Sequence, residues 1–199
     1  MALSRLIVNA DDFGYSEAVN RAIVCGFESS LVNSTSLMAN MPGFDHAIGL
    51  IRKHPFLQQH AGLHLNLTEG YPLSRALSAC PTFCGSGGRL TYHRERPLFR
   101  LSRRERVAVY EEMEMQLERV VVAGIRPTHL DSHHHAHTEW AIAPLVCRLA
   151  RVPGGWRIPG CAGGDSSQHA HRKAARVGGV RARCGRADKA APCFAKAWT

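Results

Sequence analysis

The chain has 199 residues, of which 45% are hydrophobic and 21% charged, an ordinary composition for a globular protein. No segment approaches the roughly 18 consecutive apolar residues of a membrane-spanning helix, and no signal peptide is recognisable, so a cytoplasmic protein is expected. The formal net charge is +9, from 25 Lys and Arg against 16 Asp and Glu. So basic a balance suggests an anionic partner such as nucleic acid, unless the charge is confined to one segment.

The positive charge is in fact confined to the last quarter of the chain. Residues 1–150 hold 15 Lys and Arg and 14 Asp and Glu, a net of +1, whereas residues 151–199 hold 10 and 2, a net of +8. The last segment is rich in Gly, Arg, Ala and Cys and lacks strand or helix periodicity. We therefore predict a folded part at 1–150 and a basic tail at 151–199 that is disordered or read out of frame after a frameshift near residues 151–155.

In chain order, the first predicted element is a strand at residues 5–9, a short apolar run that ends before two aspartates. Ser16 is typical of a helix N-cap, and a first helix follows it. A second strand at 34–39, a second helix at 44–53 and a third strand at 61–67 continue the alternation.

A long irregular segment at 68–101 comes next, and loops of this length tend to be functional. The clearest helix pattern then covers 103–123. A fourth strand is predicted at 128–131, followed by a last helix capped by Thr138. This order predicts a parallel sheet, in a barrel or an open α/β layer, with the active site at the carboxyl ends of the strands.

Carboxylates and imidazoles gather at three of the four predicted strand ends. Asp11 and Asp12 follow the first strand, His64 lies near the end of the third, and five of the 12 histidines fall between positions 129 and 137. Two imidazoles and one carboxylate form a common open site for a divalent ion, which acidifies a bound water and polarises a carbonyl. A second carboxylate can then accept the proton of that water, and neighbouring side chains of an extended segment point apart as this requires.

Each of these features alone also fits an ordinary structural role. A pair of aspartates commonly begins a turn, a single strand histidine is commonly structural, and a His-rich run can lie on the surface. Their shared position at three strand ends favours a metal site. Near the end of the second strand, we interpret Ser36 as a plain strand residue and Asn40 as a candidate pocket residue.

Three motifs resemble those of the YdjC-like carbohydrate deacetylases, a family that includes chitooligosaccharide deacetylases. They are N-A-D-D-F-G at 9–14, G-L-H-L-N at 62–66 and T-H-L-D-S-H-H-H at 128–135. The resemblance extends over about residues 4–150. It implies a divergent (β/α) barrel of the glycoside hydrolase/deacetylase type, incomplete at its C-terminus, that removes N-acetyl groups from amino sugars.

The resemblance also implies which residues form the site. The metal ligands of the family correspond to Asp12, His64 and His133, and its general base corresponds to Asp11. The metal is magnesium or zinc. Asp131 and the neighbouring histidines would orient these ligands. A later His-Pro motif, thought to supply the general acid, has no counterpart after Ala150, so an inactive fragment of such an enzyme is one alternative.

Two further functions stay open on the sequence alone. Another barrel metalloenzyme, such as a sugar isomerase or an amidohydrolase, would use similar ligands, although isomerases usually draw further carboxylates from later strands. A nucleic-acid-binding protein is unsupported, because there is no zinc-finger spacing, RNP-like motif or basic helix. We expect a small carbohydrate as the ligand, neither nucleic acid nor membrane as a partner, and a homodimer as a candidate assembly.

Overall fold

The computed structural model describes residues 6–93 and 98–151. The predicted basic tail, apart from Arg151, and the proposed frameshift lie outside the described residues. Within them, four parallel strands form one sheet in the order β1-β2-β3-β4, and helices lie in the connections. The predicted alternation of strands and helices and the parallel sheet are confirmed. Closure of this sheet into a barrel stays a prediction.

The register of the sheet gathers polar side chains on one face. The strands are β1 (Asn9–Phe13), β2 (Ser34–Leu37), β3 (Ala61–Leu65) and β4 (Leu130–Ser132). Ser36 pairs with Gly62, and His64 pairs with Asp131. Because successive side chains of a strand alternate between faces, Ser36, His64 and Asp131 share one face. The leucines between them are buried in the hydrophobic core.

The first strand begins later than the apolar run at 5–9 predicts. Leu6 and Ile7 are 65% and 44% exposed, and pairing with β2 runs from Asn9 to Phe13. The prediction was wrong because hydrophobicity marked the entry to the strand, whereas the position of β2 determines which residues pair. A β-bulge interrupts the pairing between Ala10 and Phe13, so the two aspartates lie inside β1 rather than after it.

Within the described residues there are five α-helices: α1 (Glu17–Glu28), α2 (Phe44–Lys53), α3 (Arg75–Ser78), α4 (Arg103–Val122) and α5 (Ala143–Ala150). The prediction for α2 is confirmed to the residue. Ser16 caps α1 as predicted, because its side chain accepts a hydrogen bond from the Val19 amide. None of the helices in the described part of the chain is both long and apolar enough to cross a membrane.

The last helix begins later than predicted. Thr138 does not cap a helix but ends a 3-10 segment, His133–Thr138, and its hydroxyl donates to the His135 carbonyl. Glu139 is extended, so the chain leaves helical geometry before α5 begins. Pro144, in the first turn of α5, suits a helix start because a first-turn amide has no intrahelical partner.

Two buried polar residues of α4 hold the segment that follows β3. The Glu112 carboxylate accepts from the backbone amides of Leu73 and Ser74, at 3.0 and 2.7 Å. The Gln116 side chain makes two hydrogen bonds to the backbone of Asn66, at 2.9 and 2.7 Å. These bonds attach the start of the long irregular segment to a helix, and so fix the loop that leaves the carboxyl end of β3.

Candidate metal centre

The three predicted metal ligands meet at the carboxyl end of the sheet. Asp12 Oδ1 lies 3.2 Å from His64 Nε2 and 2.8 Å from His133 Nδ1. The two histidines are buried, whereas about a third of the Asp12 side chain is exposed. One side of this cluster is therefore accessible to solvent and to a ligand.

The bulge in β1 directs Asp12 toward the two imidazoles. Asp12 has a φ of 68°, in the left-handed region that non-glycine residues rarely adopt, although Asp and Asn tolerate it best. The turn is closed by a hydrogen bond of 2.9 Å from the Tyr15 amide to the Asp12 carbonyl. The backbone thus reverses its course at the residue that contributes the carboxylate.

His64 is oriented by a second carboxylate on the neighbouring strand. Its Nδ1 lies 2.7 Å from Asp131 Oδ1 and 3.1 Å from Ser36 Oγ. The Ser36 hydroxyl in turn donates to Asp131 Oδ2 at 3.0 Å. The ring therefore presents Nε2 to Asp12, in the carboxylate–histidine arrangement that commonly orients metal ligands.

The two adjacent aspartates lie at different edges of the His64 ring. Asp11 Oδ1 accepts from Asn9 Nδ2 at 2.6 Å and lies 3.4 Å from Ser36 Oγ, on the Nδ1 side. Asp12 lies on the Nε2 side. The interpretation of Ser36 as a plain strand residue is wrong, since its hydroxyl joins Asp11, His64 and Asp131. A lone serine carries no signal for such a role, which depends on the register of three strands.

The electrostatics of the cluster favour charged groups. Burial disfavours the ionised form of Asp12, but the adjacent His133 and His64 rings outweigh it and hold the pKa of Asp12 well below its usual range. Burial alone would lower the pKa of His64. The charge of Asp131 and the contacts with Asp12 and Asp131 outweigh burial and raise the pKa to about 10.

Glu69 is a site residue that sequence reasoning missed. Its Oε1 lies 3.7 Å from His133 Nε2, and its carboxylate is hydrogen-bonded to the Tyr15 side chain. The Asn66 side chain positions it, because Asn66 Oδ1 accepts from the Glu69 amide at 3.0 Å. One signal was available: Glu69 is the only acidic residue between Asp45 and Glu95.

Asn40 supports this loop from a second side. Its Nδ2 donates to the Tyr71 carbonyl at 3.0 Å, and its Oδ1 accepts from Asn66 at 3.0 Å. Asn40 therefore helps to shape the loop that carries Glu69. Its predicted role as a pocket residue stays a prediction.

One histidine of the His-rich run belongs to the metal-ligand cluster, and a second one lies beside the cluster. His133 is in the cluster, and the His134 ring stacks on it with centroids 4.0 Å apart. His137 instead contacts the Ser132 hydroxyl at 2.7 Å. His129 lies over Gly62, where an added Cβ would meet the imidazole ring at 2.4 Å. Periodicity alone could not separate these histidines, because the left-handed residues that reverse the backbone follow no periodic pattern; only the motif resemblance singled out His133.

The donor atoms fit a divalent cation. Asp12 Oδ1 is buried, and no hydrogen bond of acceptable geometry satisfies it among the described residues. Donors about 2.0–2.1 Å from one ion lie about 3.0–3.4 Å apart, close to the 2.8 and 3.2 Å observed. Asp12, His64 and His133 could thus hold a metal ion, as their grouping indicates.

A parallel α/β sheet with carboxylates and imidazoles at the carboxyl ends of its strands defines a class of proteins suited to bind a metal and a small ligand there. A family model described as YdjC-like protein matches residues 5–198. The chain therefore belongs to the YdjC-like family. This match extends beyond Ala150, and the division of the chain at that residue stays a prediction.

Individual relatives agree with this assignment. The chain is 43% identical over 155 residues to a carbohydrate deacetylase of Brevibacillus brevis, covering 78% of this chain and 58% of that protein. It is 40% identical over 147 residues to a carbohydrate deacetylase of Halalkalibacterium halodurans, covering 74% and 60%. The chain thus spans somewhat more than half the length of these relatives.

A solved structure shares the fold. The crystal structure of a protein from Enterococcus faecalis V583, described as a candidate cellobiose-phosphate cleavage protein, superposes with a TM-score of 0.63. The sequences are 30% identical, and the match covers 75% of this chain and 56% of the other.

Proposed function

We propose that this chain carries the metal centre of a carbohydrate deacetylase that removes N-acetyl groups from amino sugars, within a divergent (β/α) barrel. The observation that carries the proposal is the convergence of Asp12, His64 and His133, with Asp131 behind His64. The names of the relatives support the substrate class, since the curated ones are carbohydrate deacetylases.

Asp12, His64 and His133 would hold the ion, which we assign as magnesium or zinc. When bound, a divalent ion there would acidify a water molecule and polarise the acetyl carbonyl. Nitrogen ligands favour zinc, whereas magnesium prefers oxygen ligands. The contribution of Asp131 is to hold the His64 ring by its Nδ1, so that Nε2 faces the ligand carboxylate.

To Asp11 we assign the role of general base. The resemblance of the motif at 9–14 favours Asp11 as the base, directly before the proposed ligand Asp12. Asn9 Nδ2 donates a hydrogen bond of 2.6 Å to Asp11 Oδ1 and so holds this carboxylate in place. Asp11 would accept a proton from the attacking water. The C–N bond of the acetamido group would then break, the sugar amine would take up that proton, and acetate would be released.

The test compares acetate release from N-acetylated chitooligosaccharides by the wild type and the Asp11→Asn variant. Asparagine keeps the size of the side chain and removes the base, so we expect metal binding to persist and turnover to fall by roughly 100-fold or more. Metal content measured on the same samples serves as the control. Wild-type turnover in the variant would refute the base assignment.

The same assay separates the alternatives. A sugar isomerase or other barrel metalloenzyme would bind the metal without releasing acetate. An inactive fragment would bind the metal and catalyse neither reaction.

A further inference from the structure

A second group of donors lies beside the proposed metal centre and shares only His133 with it. Glu69 Oε1 is 3.7 Å from His133 Nε2 and 4.0 Å from His134 Nε2. One donor atom from each of these three residues lies within 4.8 Å of the others. These separations are too long for hydrogen bonds and lie within ion-pair range.

The His133 ring divides its nitrogens between two surroundings. Its Nδ1 faces Asp12 at 2.8 Å, whereas Nε2 points toward Glu69. This Nε2 is buried and forms no hydrogen bond with the described residues. This buried nitrogen faces a carboxylate but is too far from it to form a hydrogen bond. The proposed metal centre gives it no role, so it is free to bind a second metal ion.

His134 is held where it can complete a ligand set. Its φ of 49° turns the backbone so that the ring stacks on His133, with an interplanar angle of 29°. Both Nε2 atoms consequently approach the same Glu69 oxygen. The Tyr15 side chain is hydrogen-bonded to that carboxylate and restrains it. About half of the His134 side chain and a third of that of Glu69 are exposed, so an ion can enter from solvent.

We propose that Glu69, His133 and His134 form a second site for a divalent cation of the zinc type. Two metal–ligand bonds of about 2.0–2.1 Å span at most about 4.2 Å, so an ion can bridge Glu69 Oε1 to either Nε2 atom at 3.7 or 4.0 Å. A tetrahedral ion would draw the partly exposed Glu69 and His134 side chains a few tenths of an ångström closer. Two imidazole nitrogens and one carboxylate oxygen form a donor set that suits zinc better than magnesium.

The two sites share His133, and this makes them mutually exclusive; this consequence rests on the proposed function, in which His133 also holds the first ion. A neutral imidazole carries one proton and offers one lone pair. The ring therefore binds through Nδ1 to an ion at Asp12 or through Nε2 to an ion at Glu69. Excess zinc that binds at the second site would therefore leave the first site without His133 as a ligand.

Zinc content after equilibrium dialysis of the full, untagged chain tests the proposal. We expect both the Asp12→Asn and the His134→Ala variants to retain one zinc that the Asp12→Asn/His134→Ala double variant lacks. Asparagine is chosen at position 12 because it tolerates the left-handed backbone there. Comparison between variants cancels any zinc bound elsewhere in the chain, and circular dichroism verifies that each variant is folded.

The Asp12→Asn/His135→Ala variant is the matched control, because His135 neighbours the cluster without belonging to it; it should bind as Asp12→Asn does. If Asp12→Asn binds no more zinc than the double variant, the second site is refuted and the first one stands. If instead His134→Ala binds no more zinc than the double variant, the first site fails and the second one stands.

Discussion

Asp131 contacts a ligand of the candidate metal centre without being one of the proposed ligands. It contacts His64 at 2.7 Å and is almost fully buried, so it fixes both the orientation and the proton of that ring. Ser36, which donates to Asp131, extends the same network to β2. The metal ligands are thus supported by residues from the two neighbouring strands.

We predict that Asp131→Asn lowers the affinity for divalent cations by roughly 10–100-fold, because the amide no longer enforces the proton on His64 Nδ1. Equilibrium dialysis against magnesium and zinc measures the effect. Asp45→Asn is the control, because this carboxylate is largely exposed and far from the cluster in the chain. An unchanged affinity in Asp131→Asn would contradict the orienting role.

Gly62 is the other residue on which the site depends, because the His129 ring occupies the space of a side chain there. Gly62→Ala should destabilise the fold by about 1–3 kcal/mol, since a ring against β3 and β4 must move. Gly49→Ala, where nothing lies within 4 Å of the added Cβ, should instead stabilise α2 by about 0.5–1 kcal/mol. Urea denaturation measures both; equal effects at the two positions would refute the steric account.

At the scale of elements, helices were predicted better than strands. The pattern at 44–53 matches α2 because its apolar residues recur at helical spacing and because Pro or Gly residues mark both its start and its end. The same reasoning misplaced β1, because this strand is polar and because the limits of a strand depend on partners that are distant in the sequence. Hydrophobic periodicity likewise could not predict the left-handed turn at His134 or the bulge at Asp12. Both irregularities position side chains of the candidate site.

The capping box of α4 gives a pH-dependent prediction for an element. Glu105 accepts from the Ser102 amide and from the Thr82 hydroxyl, which hold the pKa of Glu105 below its ordinary value of 4.5. A lowered folded pKa means that the charged form stabilises the fold above pH 4.5, and that this contribution disappears as the pH falls through the folded pKa.

Glu105→Gln should therefore be less stable than the wild type by about 0.3–1 kcal/mol at pH 7, where the carboxylate also favours the helix N-terminus. The difference should shrink as the pH falls below 4.5. Urea midpoints of the two proteins at pH 7, 5 and 4 measure it. A difference that is constant across this range would contradict the electrostatic contribution.

At the scale of the molecule, the described strands bring the three candidate metal ligands together at one sheet. The chain spans 58% and 60% of two curated carbohydrate deacetylases, and it contains all three candidate ligands and Asp131. The sequence predicted these residues because the motifs that resemble the family lie at the ends of predicted strands. It missed Glu69 and Ser36, whose roles arise only when loops and strands assemble around them.

The charge of +9 says little about this centre. Residues 1–150 have a net charge of +1, and the cluster itself combines carboxylates with imidazoles. That the chain binds neither nucleic acid nor membrane stays a prediction, as does homodimer formation.

Metal removal and restoration tests the central claim most directly. Acetate release from N-acetylated chitooligosaccharides would be followed before dialysis against EDTA, after it, and after addition of one equivalent of magnesium or zinc. We predict that activity is lost with the metal and returns with it, while circular dichroism shows that the fold persists. Acetate release that survives complete removal of the metal, or its absence from the fully metal-loaded chain, would contradict the account.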